Sequence, residues 1–124
     1  MSNEIEGNIK NIVIRVAELL KDEKARDIVV LDLNGLTSIT DYFIICTANS
    51  AIQTRALART INEYASQLDL KPFTRNVNFD SPWVLIDYNY FIVHIFLEEG
   101  RNYYQLEKFW VDAQAVYTNQ GGLV

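Results

Sequence analysis

The fold is decided by the stretch L-D-L-N-G-L-T-S-I-T-D-Y-F-I-I-C-T-A-N-S, which runs from Leu31 to Ser50. It joins the end of one apolar, β-branched run, Asp27–Leu33, to a second run, Tyr42–Ala48, through the turn signal Asn34-Gly35. The first run is too short for a helix, and the second is apolar at almost every position, which is typical of a strand buried on both faces. The sequence therefore predicts two strands inside a sheet.

A helix is predicted on each side of these two strands. The first runs from Asn3 to about Lys24, because apolar residues recur on one helical face there, and Asn3 and Glu6 have the spacing of a capping box. The second begins at Ser50 with the capping-box sequence S-A-I-Q, in which Gln53 bonds back to the cap, and we expect it to end at Lys71-Pro72. Its predicted buried face consists of Ile52, Leu57, Ile61, Tyr64, Ala65 and Leu68.

The second half of the chain predicts a hairpin followed by a short helix. After a loop over residues 73–82, two antiparallel strands are expected at Trp83–Tyr88 and Phe91–Leu97. They are joined at Asn89-Tyr90, because Asn tolerates the left-handed conformation that such a turn needs. Aromatic and apolar residues at helical spacing predict a helix over 102–112.

The predicted elements follow the order α-β-β-α-β-β-α. This order indicates an α/β (α+β) fold, in which one mixed sheet is flanked by helices in a single domain. A chain of 124 residues is long enough for one core. We expect the domain to span residues 1–113 and the C-terminal tail, residues 114–124, to be frayed.

Composition excludes several classes of function. The 11 Lys and Arg against 16 Asp and Glu give a net charge of −5, which disfavours broad phosphate neutralisation and therefore general nucleic-acid binding. One Cys, one His and one Met are too few for a structural zinc site, and no apolar run approaches the roughly 18 residues of a membrane span. The first residues show no targeting pattern, so we expect a cytoplasmic protein.

No reaction centre is evident. His94, the only histidine, lies inside a predicted strand, where we expect a core or sheet-face histidine with a satisfied ring nitrogen, and Cys46 is expected to be a small buried apolar residue. Asp32 and Asp41 lack the paired spacing that places two carboxylates on one strand face. We expect them to cap turns at strand ends, and we expect no cofactor.

The segment between Asp80 and Asp112 is acidic and aromatic. It holds six acids and two bases, so its net charge is 2 minus 6, or −4. It also contains nine of the chain's fifteen aromatic residues, more than one small core readily buries. Exposed aromatic anchors among acids suit a basic protein partner, although a fully packed core with solvated acids explains the composition equally well.

Three stretches resemble the ribosomal silencing factor family, also called the Iojap or RsfS family. They are the Leu31–Ser50 stretch, W-V-L-I-D-Y (Trp83–Tyr88) with V-H-I-F (Val93–Phe96), and Y-Q-L-E-K-F-W (Tyr104–Trp110). With the helix between them they cover nearly the whole domain. The resemblance implies a nucleotidyltransferase-like fold without catalytic carboxylates, in agreement with the missing acid pair.

The resemblance also implies a function without catalysis. Family members bind the large ribosomal subunit at its protein L-fourteen and sterically block joining of the small subunit, which represses translation; they are typically homodimers. Carried over by motif, the expected partner-binding residues are Trp83, Leu85, Asp87, His94, Glu98, Tyr104, Leu106 and Glu107. The family's Gly-Asp turn is Asn89-Tyr90 here, and its Glu-Gly loop is Asn78-Phe79-Asp80.

Two other functions are compatible with parts of the sequence. One is a degenerate nucleotidyltransferase-like protein that retains nucleotide and Mg²⁺ binding at Asp32 and Asp41. The other is an RNA-binding module that uses Arg26, Arg55 and Arg59, which the net charge disfavours. We expect neither a membrane partner nor direct sequence-specific binding of nucleic acid.

Overall fold

The computed structural model describes residues 8–74, 76–119 and 122–123. The elements are α1 (Ile9–Asp22), β1 (Arg26–Asp32), β2 (Tyr42–Ala48), α2 (Ala51–Gln67), β3 (Trp83–Asp87), β4 (Phe91–Leu97), α3 (Glu98–Tyr104), a 3-10 helix (Leu106–Trp110), β5 (Gln114–Thr118) and β6 (Gly122–Leu123). The predicted order is confirmed through α3. The expected capping pair Asn3 and Glu6 lies outside the described residues. None of the helices described combines the length and the apolar character needed to cross a membrane.

One mixed sheet organises the chain, as predicted. Its strand order is β3-β4-β2-β1-β5-β6. β2 and β4 are parallel, with Tyr42 opposite Phe91, and the other neighbouring strands are antiparallel. Every residue of β2 is buried, so the sheet is covered on both faces at this strand.

The two faces of the sheet are covered very differently. The first face carries α1 and α2, whose residues Val16, Leu20, Leu57 and Ile61 pack in one cluster with Ile44 of β2. On the second face the buried cluster is smaller, and α3 and the 3-10 helix lie near it. That cluster consists of Leu31, Leu33, Phe43, Ile45, Ile92 and Phe96, with Trp83, Leu106 and Trp110 packed against it.

The N-terminus of α2 has the predicted cap with one difference. The Ser50 hydroxyl accepts a hydrogen bond from the Gln53 N–H at 3.2 Å, but the Gln53 side chain accepts from the Asn49 N–H at 2.6 Å and not from the cap itself. The prediction that Ile52 is buried is wrong, because it lies two residues, about 200° of helix rotation, from the buried Thr54. The helix also ends at Gln67, before the Lys71-Pro72 stop.

The predicted helix over 102–112 is wrong in its bounds. α3 begins directly after β4 at Glu98, and Gln105 adopts a left-handed conformation (φ 48°, ψ 50°) that ends it. A separate 3-10 helix follows. The break at Gln105 therefore changes the chain direction before Leu106 and Trp110 pack against the second face of the sheet.

The expectation of a frayed tail is wrong for residues 114–118. β5 pairs with the outer edge of β1, with Val30 opposite Tyr117, and β6 pairs with β5. An unpaired β1 edge would leave its backbone groups without partners, and the pairing also buries Val116 and Tyr117. The sheet thus extends past residue 113. Residues 120, 121 and 124 of the expected tail lie outside the described residues.

Gly100 sets the distance between α3 and the start of β3. It is buried, and a Cβ atom at this position would lie 2.3 Å from the carbonyl oxygen of Pro82. The same carbonyl accepts a hydrogen bond from the Leu97 N–H at 3.0 Å, so it cannot move away freely. A glycine is therefore needed here by close packing.

Gly100→Ala should destabilise the domain by roughly 1–3 kcal/mol, because the added methyl group forces α3 away from Pro82. Urea unfolding followed by circular dichroism measures this change. Asn102→Ala, at an exposed position of the same helix, is the control and should stay within about 0.5 kcal/mol of the original protein. Equal stability of the two variants would contradict the close packing.

Candidate partner-binding surface

Trp83 lies on the second face of the sheet, at the start of the edge strand β3. Because side chains alternate along β3, Val84 and Ile86 point toward the helices of the first face, while Trp83, Leu85 and Asp87 point the other way. The Trp83 Nε1–H donates to His94 Nδ1 at 3.0 Å. Its ring also stacks on Phe96, at 5.2 Å between centroids, and contacts Tyr104, at 4.7 Å. The indole is thus fixed by one hydrogen bond and two ring contacts.

His94 lies beneath this tryptophan and is almost fully buried. Burial lowers the pKa of its imidazole to about 3, so the ring is neutral at physiological pH. Nδ1 accepts the tryptophan hydrogen bond, which places the ring proton on Nε2, and Nε2 has no hydrogen-bond partner among the described residues. The predicted sheet-face histidine with one satisfied nitrogen is confirmed. Cys46 is likewise buried, as predicted, and burial raises the pKa of its thiol to about 12.

Arg101 connects three elements beside this site. Its Nε and Nη2 donate to the two carboxylate oxygens of Glu107, at 3.0 and 2.9 Å, and its Nη1 donates to Thr47 Oγ1 of β2, at 3.0 Å. The Arg101 side chain is only 14% exposed, so this two-pronged ion pair is better shielded from solvent than a surface pair. It holds α3 and the 3-10 helix together on the sheet.

Large apolar side chains remain exposed around Trp83. Leu85 is 38% exposed and Tyr104 is 40% exposed, and the Tyr103 ring lies 5.0 Å from that of Tyr104. We call Leu85, Trp83, Tyr103 and Tyr104 the aromatic face. Phe109 and Val111, in the segment that follows, are more than three-quarters exposed. Exposed residues of this size and kind are typical of protein contact surfaces.

The outer edge of β3 is open at one residue of the aromatic face. The pairs Pro82–Leu97 and Tyr88–Phe91 are hydrogen-bonded, so by alternation the backbone groups of residues 83, 85 and 87 point outward. The groups of Trp83 bond to Ser81 Oγ, and those of Asp87 bond to Thr74 Oγ1 and the Phe73 N–H. Of these three residues, only Leu85 has a backbone N–H and C=O that make no hydrogen bond to another described residue.

The predicted partner-binding residues divide into three groups. Trp83, Leu85 and Tyr104 lie together in the aromatic face, and Leu106 packs beneath it. His94 is buried under Trp83, and both Glu107 oxygens are held by Arg101. Of the two other acids, Asp87 ends β3 and Glu98 begins α3.

Those two acids, Asp87 and Glu98, each make a local contact. Asp87 Oδ1 accepts from the Asn89 N–H at 2.7 Å and closes the hairpin turn, in which Asn89 has the predicted left-handed conformation (φ 74°). Glu98 is exposed and lies 3.4 Å from Arg26 Nη1. Both leave carboxylate area at the surface, so they can contribute negative charge toward a partner.

Sequence analysis missed the roles of Arg101 and Tyr103. Arg101 and Glu107 are six residues apart, which is not a helical contact spacing, so no local pattern signals their ion pair. The sequence places Tyr103 on a short helix rich in aromatics but does not indicate which side of that helix is exposed. In the structure Tyr103 is 80% exposed on α3, which starts four residues earlier than predicted.

Asp32 caps a turn, as predicted. Its Oδ1 accepts hydrogen bonds from the Asn34 N–H, at 2.9 Å, and from the Asn34 side-chain amide, at 2.8 Å. Across residues 8–74, 76–119 and 122–123 there is no group of three or more His, Cys, Asp or Glu residues able to hold a metal ion.

The state of His94 can be measured directly, since it is the only histidine in the chain. The pKa of His94 in the folded protein lies below its ordinary value of 6.5, so as pH falls the unfolded chain takes up this proton first. Protonation of His94 therefore lowers the free energy of unfolding as pH falls from about 6.5 toward 3. We expect ring ¹⁵N shifts of a neutral Nε2–H imidazole that do not change between about pH 8 and about pH 5. A titration midpoint near 6.5 would contradict the buried arrangement.

Comparison with known proteins identifies the family. The family described as "Ribosomal silencing factor during starvation" matches residues 6–122. The Bacillus subtilis protein named ribosomal silencing factor RsfS is 38% identical over 106 residues, which are 86% of this chain and 90% of that protein. A crystal structure of a Chromobacterium violaceum protein superposes with a TM-score of 0.75 at 32% identity, covering 82% of this chain and 85% of that one.

A mouse protein extends the comparison to organelles. It is named "Mitochondrial assembly of ribosomal large subunit protein 1" and is 30% identical over 98 residues, which are 77% of this chain and 43% of that protein. The match over almost the whole chain, together with the shared fold, shows that this chain belongs to the ribosomal silencing factor family.

Proposed function

We propose that this chain binds the large ribosomal subunit through its protein L-fourteen and sterically prevents the small subunit from joining, so that translation is repressed. In this role it is a cytoplasmic, non-catalytic regulator. The observation that carries the proposal is the aromatic face, where exposed Leu85 and Tyr104 flank a tryptophan that is already fixed in place. The family name of its relatives and the large-subunit name of the mouse protein support a ribosomal partner.

The geometry of Trp83 favours tight binding. Its ring is held by His94, Phe96 and Tyr104 before any partner arrives, so little side-chain freedom is lost on association. Aromatic anchors of this kind contribute on the order of 2 kcal/mol or more when they are desolvated at the centre of an interface. His94 contributes by positioning Trp83, since it is itself buried.

Charge and backbone geometry add specificity. The net charge of −4 between Asp80 and Asp112 favours a partner surface rich in Lys and Arg and would speed the encounter. The free N–H and C=O of Leu85 can pair with one residue of an extended partner segment, while Ser81 and Thr74 limit the pairing to that residue. In this proposal Asp87 and Glu98 contribute part of that negative charge.

The same aromatic face suits a second copy of the chain. A homodimer that buries Leu85 and Tyr104 would cover the exposed apolar area when no ribosome is bound. Because both partners would use the same residues, dimerisation and binding of the large subunit would compete.

Leu85→Ala should weaken binding to purified large ribosomal subunits by about 30-fold, which corresponds to about 2 kcal/mol, because the Leu85 side chain is an exposed anchor. Titration of the labelled protein measures the affinity. A substitution at Leu85 tests partner contact more directly than one at Trp83, because Trp83→Ala would also remove contacts with His94 and Phe96 inside the domain.

The matched control is Ile52→Ala, which removes an exposed aliphatic side chain of the same size from α2, the helix on the first face. It should bind as the original protein does. Equal weakening by the two substitutions, or none by Leu85→Ala in a folded protein, would remove the aromatic face from the proposal.

A further inference from the structure

A cleft lies on the first face of the sheet, away from the aromatic face. It has a volume of ≈ 350 Å³ and is formed by α2, by the loop that follows it and by the end of β3. This volume falls at the lower end of the range, roughly 300–1,000 Å³, that small-molecule sites occupy. The function proposed above makes no use of it.

Polar side chains of the cleft can donate hydrogen bonds to a ligand. The Tyr88 hydroxyl, whose pKa burial raises to about 12, donates to Asn62 Oδ1 at 3.3 Å. The Asp87 N–H donates to Thr74 Oγ1 at 2.9 Å. The Asn62 side-chain NH₂ and the Thr74 hydroxyl hydrogen can donate to a ligand.

The charge of the cleft is opposite to that of the chain. Arg55 and Arg59 lie one helical turn apart on α2 and line it, and none of the described residues that line it is acidic, although the net charge of the protein is −5. Arg55 lies 5.6 Å from the centroid of the Phe79 ring and 3.9 Å from an exposed Asp80 oxygen, a long and weak pair. Arg59 has no ion pair with any described residue.

The remaining walls are apolar. Pro72, Val77 and Ile86 line the cleft together with Ala58 and the Phe79 ring. An apolar wall opposite two guanidinium groups matches a molecule that carries negative charge at one end and a flat apolar body at the other. Two arginines suit a phosphate better than a carboxylate, because a phosphate ester offers three oxygens and up to two charges.

We propose that this cleft binds a small phosphate ester with a flat apolar body, with its phosphate on Arg55 and Arg59 and its body against Val77 and Ile86. Asn62 and Thr74 donate the remaining hydrogen bonds. This cleft shares no lining residue with the aromatic face or with the turn at Asp32. The proposal therefore does not depend on the proposed binding to the ribosome.

The test is an NMR titration of the ¹⁵N-labelled protein with phenyl phosphate and with AMP, beside inorganic phosphate and adenosine as half-ligands. At least one of the two esters should shift the amide signals of Ala58, Thr74, Val77 and Ile86 with a dissociation constant of about 1 mM or tighter. Each half-ligand should bind at least about tenfold more weakly, because it meets only one part of the cleft.

Charge variants decide whether the arginines carry the binding. Arg55→Gln and Arg59→Gln should each weaken binding of the ester about tenfold, while Arg15→Gln, at an exposed arginine of α1, should leave it unchanged. The same spectra show that each variant is folded. The proposal is overturned if neither ester shifts these signals, if inorganic phosphate binds as tightly as the esters, or if the double Arg55→Gln, Arg59→Gln variant binds equally well.

Discussion

The burial of β2 on both faces is the constraint on which the rest of the structure depends. A strand that is apolar on both faces needs apolar cover above and below the sheet, because without that cover its apolar side chains would be exposed to water. α1 and α2 supply deep cover on the first face. Among the described residues, α3, the five-residue 3-10 helix and the side chain of Trp83 cover the second face. This cover is thin, so part of its own apolar surface stays exposed and becomes the aromatic face.

Polar contacts hold that thin cover in place. Arg101 links α3, the 3-10 helix and β2 through Glu107 and Thr47, and Trp83 is held to β4 through His94. The second contact has a cost, because burying the Nε2–H of His94 without a partner typically costs about 1–3 kcal/mol. A surface fixed at such a cost is preorganised for a partner, which is the property a binding protein needs.

Sequence patterns predicted those parts of the fold that local chemistry determines. The apolar run Tyr42–Ala48, the Ser50 side-chain cap and the Asn89 turn each depend on neighbouring residues. All three are confirmed, although Gln53 bonds to Asn49 and not back to Ser50. β5 could not be found in this way, because its stability comes from the free edge of β1, more than 80 residues earlier. The left-handed Gln105 is likewise imposed by the packing that follows it, since Gln has no intrinsic preference for that conformation.

The same distinction holds for the sites. The motif resemblance predicted Trp83, Leu85 and Tyr104, and the structure brings them onto one face, but it did not indicate that His94 is buried beneath them. The cleft was not predicted at all. It unites Arg55 and Arg59 of α2 with Thr74 of a loop and Tyr88 at the end of a strand, a combination that only the folded chain creates.

The most direct test of the central claim is a subunit-joining experiment. The purified protein is incubated with large ribosomal subunits, small subunits are added, and joining is followed by light scattering, while a sucrose gradient shows what the protein accompanies. The account predicts that the protein sediments with the large subunit and that joining is inhibited in proportion to its occupancy. Normal joining in the presence of folded protein at saturating concentration would contradict it.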